Sequence, residues 1–368
     1  MKISVIQQHV IQMPLKAPFL THLGAVKNRE GIIVEIIDTD GVKGYGEGVA
    51  FSTPWYTEET VETSLHMITH FLIPLLQENP IEHPQEASPL FKSVRRNHMA
   101  KAALEMALWD LYAKQQSKSL ATILGGTRQV IASGVVVATD STANALNQIE
   151  QYLEDGYQRI KIKINPKQDY SFLSEIRRHY PDLPIMADAN SSYTLRDLER
   201  LKALDEFNLL MIEQPLAHDD IIEHAELQKV IQTPICLDES IVTFADARKA
   251  VELGSCKVIN IKAGRVGGLL EAKKIHDYCL EKGVPVWCGG MIEFGVSRAH
   301  NIALASLPGF SIPGDISASN RFWDEDIISP EVTVKNGFIT VPTDPGIGYE
   351  INQKRLQEVM IAHRKFKF

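Results

Sequence analysis

Cysteine is scarce in this 368-residue chain. Cys236, Cys256, Cys279 and Cys288 are the only four, and no two form a C-x-x-C pair. That spacing speaks against a zinc or redox motif, and the four read as buried free thiols in a reducing cytoplasm. Long apolar runs are missing as well. No stretch of about 18 apolar residues occurs, so no membrane-spanning helix is expected. The opening segment MKISVIQQHVIQMPL alternates apolar and polar residues instead of presenting the continuous apolar core of a signal peptide, and reads as a strand. Positive charge is in deficit: 38 Lys and Arg stand against 46 Asp and Glu, a net charge of −8. A nucleic-acid or anionic-membrane partner would need a basic patch, which this balance does not suggest. There is no low-complexity segment and no linker.

What is present is enough chain for a barrel and a second domain, since one barrel commonly takes about 250 residues. Met1–Met13, Gly31–Thr39 and Val42–Val49 read as strands, with Asp40-Gly41 as a hairpin turn. Pro14–Lys27 reads as a loop between the first two. Helical periodicity follows over Thr57–Leu76 and Met99–Lys114. Strands followed by helices predict a separate α+β domain over residues 1–125, with Gly125-Gly126 as its boundary. Strands and helices then alternate. Strands are predicted at Ile131–Ala138, Arg159–Ile164, Pro184–Asp188, Leu209–Glu213, Pro234–Asp238, Val258–Lys262, Pro285–Cys288 and Phe310–Pro313. Eight strands with seven helices between them predict an α/β fold, a (β/α)7β TIM-like barrel, over residues 126–320. Residues 321–368 read as loop, a hairpin at Asn336-Gly337 and a helix from Asn352, returning to complete the N-terminal capping domain.

Five charges recur at the ends of these strands: Lys163, Asp188, Glu213, Asp238 and Lys262, spaced by 25, 25, 25 and 24 residues. One strand, one helix and short loops fill such a period, so the five stand at one height on the C-terminal rim, where barrels carry their active sites. An isolated strand-end Asp is commonly a turn residue, but three neighbouring carboxylates repel one another unless a cation neutralises them. Oxygen-only donors favour a hard ion, best Mg²⁺, with Mn²⁺ as a substitute. Lys161 and Lys163 lie two apart on one strand and project from the same face. In a barrel sheathed by helices that face is the interior. Lys262 falls across the mouth from them. A carboxylate between opposed lysines suits removal of its α-proton, and an amine near several cations can have a lowered pKa and act as base.

At this point the chain resembles a known family. The K-x-K strand, the Asp/Glu/Asp series and the later Lys resemble the enolase superfamily, in its muconate-lactonizing-enzyme subgroup. MADANSSY (186–193), MIEQPL (211–216), ICLDES (235–240), INIKAGRVGG (259–268), WCGGMIEFGVSRAHNIALASLP (287–308) and IPGDISASNRF (312–322) are similar to o-succinylbenzoate synthases of the Bacillus type and to N-acylamino acid racemases. The resemblance spans essentially the whole chain. It implies Asp188, Glu213 and Asp238 as Mg²⁺ ligands, Lys163 as acid/base on one face, Lys262 on the other, and Lys161 as their assistant. It further implies Asn190 and Glu239 beside the metal or the lysines, Gly290, Met291 and Ile292 along the substrate pocket, and Phe19 and Phe322 as pocket walls. Arg265 is implied as the residue that positions Lys262, as in members that racemise. The expected reaction is Mg²⁺-dependent dehydration of a succinyl-hydroxy-cyclohexadiene carboxylate, or N-acylamino acid racemisation, or both. A small carboxylate is the expected partner, in a homo-oligomer. His300 reads as a plain helix residue, His22 as a capping-loop residue, and Trp109 and Asp110 as domain-interface packing.

Overall fold

The structure is a computed structural model that describes every residue except His22, Leu23 and Asp140, with Phe19–Thr21, Gly24 and Ala25 described by backbone alone. A four-stranded antiparallel sheet runs in the order Met360–Lys367, Ile3–Thr21, Gly24–Asp38, Lys43–Gly48. The alternation predicts a loop over Pro14–Lys27, but the structure extends both strands through most of it. Phe19 pairs with Val26 and Leu20 with Ala25, after a register shift that begins at Pro14. Pro14 and Pro18 interrupt the alternating pattern that signals a strand, which hides the arm from a periodicity reading. The helix predicted over Thr57–Leu76 starts four residues later and runs as Val61–Met67, a π turn Ile68–Leu72, and Ile73–Glu78, with Thr60 as its N-cap. Helix His98–Gln115 lies across the sheet. Gly44 and Gly46 allow that approach, because a Cβ on either would overlap the carbonyl oxygens of Ala107 and Ala103.

Seven parallel strands follow in sequential order: Val135–Val137, Ile160–Lys163, Ile185–Asp188, Ile212–Glu213, Ile235–Leu237, Val258–Ile261 and Val286–Cys288. Helices alternate with them, among them Thr142–Glu154, Phe244–Leu253 and Leu269–Lys282. Local chemistry sets their ends. Ser141 and Thr243 accept N–H bonds as N-caps, and Gly254 closes its helix at a φ of +75°. The strand predicted at Phe310–Pro313 is reduced to single bridges, Phe310 with Val286 and Gly314 with Ser133. Pro313 has no N–H to extend a ladder, and its carbonyl is taken by Arg159. The segment still joins both edges of the sheet: the Gly134 N–H donates to Gly314 O and the Asp315 N–H to Cys288 O.

The barrel's lower interior is filled by Met186, Met211, Cys236, Val258 and Trp287. All four cysteines are buried and free. In the tail, Phe338–Thr340 pairs with Val130–Ala132, and helix Gln353–Val359 leads into a strand, Met360–Lys367, that pairs with Ile3–Thr21. That last strand is absent from the sequence expectation. Among the described residues no helix is long and apolar enough to cross a membrane.

Candidate active site

The strand Ile160–Lys163 pairs in register with Ile185–Asp188, so Lys163 stands opposite Asp188, and Asp188 in turn stands opposite Glu213. Lys161 points inward one pleat lower. Its Nζ donates to Glu213 Oε2 at 2.7 Å and lies 3.0 Å from Asp188 Oδ2 and 2.9 Å from Asp315 Oδ2. Lys163 Nζ donates to Asp188 Oδ2 at 2.7 Å and to Asn190 Oδ1. At the other end of the row Lys262 Nζ donates to Asp238 Oδ2 at 2.8 Å, and Arg265 Nη1 reaches Asp238 Oδ1. The row of carboxylates therefore has one amine at each end and a third beneath it.

Exposure separates the three lysines. The Lys163 side chain is 30% exposed, against 6% for Lys161 and 9% for Lys262. Burial alone would lower the Lys161 amine, but Asp188, Asp315 and Glu213 beside it push it well above the ordinary lysine value. Burial also opposes the charge on Lys262, and Tyr56 and Glu213 raise it. Among the protein's own side chains, carboxylates stand within 3.0 Å of both amines. Burial pushes the Asp188 carboxyl up, but Lys161 and Lys163 outweigh it and hold it well below the usual carboxylate range. Glu213 is raised by burial and by Asp188.

The donor chemistry fits a hard divalent cation. Asp188, Glu213 and Asp238 offer only oxygens, at the C-terminal ends of three adjacent strands. Glu239 Oε2 and Asn260 Oδ1 are buried beside them without a hydrogen-bond partner. As the side chains stand, no three His, Cys, Asp or Glu among the described residues are arranged to hold a metal ion. The amines account for this: Lys161 bridges Asp188 and Glu213, while Lys262 and Arg265 hold Asp238.

Other expected residues fall around this group. Asn190, at a φ of +40°, links Lys163 to Glu239 through its side chain. Arg265 also donates to Ile241 O and Asn260 O. Met291 and Ile292 are buried, and a Cβ on Gly290 would lie 2.6 Å from Asp315 O. Ile292 has a φ of +55°, and its carbonyl accepts from Arg29 Nε. The Phe322 ring lies against Arg298, Arg321 and Trp323, and its carbonyl accepts from Lys16 N of the capping arm. The Phe19 side chain and His22 lie outside the described residues.

Four contributors escape the sequence reading. Tyr56 OH accepts from Lys262 Nζ at 2.9 Å and donates to Asp238 Oδ1 at 3.1 Å. Asp315 pairs with both Lys161 and Arg159. Asn260 Nδ2 donates to Glu213 Oε1 at 2.8 Å. A Cβ on Gly289 would lie 2.6 Å from Lys262 Cε. Asn260 had a usable signal, since N-x-K in INIK repeats the same-face spacing of K-x-K.

Comparison with known proteins follows the same lines. Residues 2–125 match the mandelate racemase / muconate lactonizing enzyme N-terminal domain, and residues 144–355 the enolase C-terminal domain-like family. The chain is 57% identical over 354 residues to an o-succinylbenzoate synthase of Geobacillus stearothermophilus, covering 96% of this chain and 94% of the relative. It is 44% identical over 364 residues to an N-succinylamino acid racemase of an Amycolatopsis species, covering 98% of each. An enolase-superfamily structure from Listeria innocua superimposes with a TM-score of 0.97 at 43% identity, covering 100% of this chain and 99% of that one.

Proposed function

The chain belongs to the mandelate racemase / muconate lactonizing enzyme family of the enolase superfamily, and from that premise we propose that it is an o-succinylbenzoate synthase. In this reading residues 1–125 cap the site, 126–320 form the catalytic barrel and 321–368 return to the cap. The substrate is 2-succinyl-6-hydroxy-2,4-cyclohexadiene-1-carboxylate, on the way to menaquinone. The observation that carries the proposal is the placement of Lys163 and Lys262 at opposite ends of one row of carboxylates.

Enzymes of this family use a divalent metal. We take it to be Mg²⁺, held by Asp188, Glu213 and Asp238, where it would supply positive charge for the carboxylate that becomes an enediolate. The chain's own residues do the rest. Lys163, the most exposed of the three amines, takes the α-proton as a neutral base. As an ammonium it then returns that proton to the departing hydroxyl, so that the C–O bond breaks and water leaves on the same face. The ring electrons move into an aromatic system. Lys262, pinned by Tyr56 and Asp238, stays protonated and stabilises the dianion by charge and by a cation–π contact with the ring. Lys161 holds the carboxylate end from below. Asn190 and Glu239 orient Lys163, and Arg265 orients Lys262 through Asp238. Gly290, Met291, Ile292 and Phe322 shape the pocket for the succinyl arm.

The same two amines favour a second activity, racemisation of N-succinylamino acids, in which each lysine serves one face of the α-carbon. Relatives carrying each name support both readings. The test is a side-by-side assay of the Mg²⁺-loaded protein on the cyclohexadiene and on N-succinylamino acids. Failure to turn over the cyclohexadiene overturns the synthase reading. We place the protein in the cytoplasm as a homo-oligomer, the second point to be checked by light scattering.

A further inference from the structure

The turn that follows Lys262 carries three glycines, and each is met by a residue of residues 1–125. A Cβ on Gly264 would overlap Val49, and one on Gly267 would come within 3.3 Å of His98 Nδ1. One on Gly268 would overlap the carboxylate of Glu105. Gly267 and Gly268 also hold φ values of +97° and +121°, which side-chain-bearing residues rarely adopt. Together the glycines form a seat into which the capping domain presses.

Glu105 is the charged group in that seat. It lies on helix His98–Gln115 and is 1% exposed. Its Oε2 accepts the Leu269 N–H at 2.8 Å and its Oε1 the Leu270 N–H at 2.9 Å. Helix Leu269–Lys282 has Gly268 at its N-cap and so has no side-chain cap of its own. The carboxylate from the other domain takes that part, satisfying two N–H groups that would otherwise be orphaned. The indole N–H of Trp109 donates to Oε1 at 2.6 Å and holds the carboxylate in place.

Between Lys262 and the Gly267-Gly268 pair of the seat stands a single helical turn, Ala263–Val266, which carries Gly264. Arg265 on that turn is 1% exposed and reaches Asp238, the Tyr56 hydroxyl and Asn260 O. Those are the partners and neighbours of the Lys262 amine. The turn is thus clamped on one side by Glu105 and on the other by the cluster around Lys262. No comparable glycine seat follows Lys163, where the chain reads INPKQD.

We propose that Glu105 is a positioning residue for Lys262: by capping helix Leu269–Lys282 from the capping domain, it sets the turn that carries Arg265 and so places the amine on one face of the substrate. This deepens the functional reading above and rests on Lys262 facing the substrate. A merely structural role would lower the active fraction and slow both faces alike.

The test uses full-length, Mg²⁺-loaded Glu105→Ala with each enantiomer of an N-succinylamino acid in D₂O. Lys262→Ala and Lys163→Ala in the wild-type background identify which enantiomer each amine serves. Exchange at the Lys262 face is expected to fall about tenfold or more relative to the Lys163 face, as for a group displaced by part of an ångström. Equal slowing of both faces overturns the inference. If the wild type exchanges neither enantiomer, the two-base reading fails, and a crystal structure of Glu105→Ala decides instead. Arg265 and Lys262 displaced from Asp238 support the inference; both retained in place overturn it. If Glu105→Ala does not fold, Trp109→Phe, which removes the indole donor and leaves the Glu105 carboxylate in the chain, takes its place under the same outcomes.

Discussion

Tyr56 and Lys262, 206 residues apart in the chain, meet at the mouth of the barrel: the ammonium donates to the phenol oxygen at 2.9 Å and lies 4.5 Å from the centre of the tyrosine ring. The hydroxyl passes the contact on to Asp238. The capping domain thus reaches the charge that the proposed chemistry places on one face of the substrate.

Tyr56→Phe keeps the ring over Lys262 and removes only the hydroxyl. A hydrogen bond to a charged group is worth about 1.5–3 kcal/mol, so kcat/KM for dehydration is expected to fall at least about tenfold. The loss should sit in kcat, because the hydroxyl positions the amine and does not bind the succinyl arm. Steady-state kinetics check this, and a loss confined to KM would contradict it.

Gly289→Ala places a methyl group 2.6 Å from Lys262 Cε and into the Asn260 side chain. The lysine must shift, and a displacement of about 1 Å can cost about a hundredfold in rate. Dehydration by this variant is expected to drop by about that factor while its far-ultraviolet circular dichroism stays that of the wild type. Wild-type turnover would show that the lysine tolerates the shift.

Chelation of divalent ions is expected to abolish turnover and to lower the melting temperature, and added Mg²⁺ to restore both. An ion at about 100 times its Kd stabilises the folded chain by about 2.7 kcal/mol. In Glu213→Gln the Mg²⁺-induced rise in melting temperature should shrink or vanish. Calorimetry with and without the ion reads this out, and full activity in excess chelator would remove the metal from the mechanism.

Glu47 predicts a pH dependence of stability. It is fully buried, accepts the N–H groups of Phe294 and Ser297, and is faced by Arg29 and Glu293. Burial pushes its carboxyl from 4.5 up to about 8. Between those values the folded chain binds more protons than the unfolded one, so stability falls as pH rises through the window. Glu105, pushed up to about 7 by burial, acts in the same sense. Glu47→Gln has no proton to lose and should flatten the decline between pH 5 and 8 by on the order of 1 kcal/mol. Parallel pH–stability curves for the two proteins would contradict this.

Much of the site is legible in the chain because its residues obey a local rule. Asp188, Glu213 and Asp238 end successive apolar strands, and a strand–helix period of about 25 residues carries them to one rim. Tyr56 obeys no such rule. It stands on an irregular loop of the capping domain, and its partner lies across a domain boundary. Asp315 is hidden for another reason: the strand that should announce it is reduced to bridges around Pro313. The Phe19 arm is hidden by Pro14 and Pro18, which break the alternation that the pairing itself tolerates.

The two lysines of RIKIKI divide what sequence and tertiary structure each decide. Strand alternation by itself puts Lys161 and Lys163 on one face, because side-chain direction is a property of the local backbone. It does not distinguish them. Lys161 is closed in by Glu213, Asp188 and Asp315, brought from three other parts of the barrel, while Lys163 stays partly open to solvent beside Asn190. Depth, desolvation and ion pairing depend on what other segments bring to the same point, and only the closed barrel with its cap brings them there.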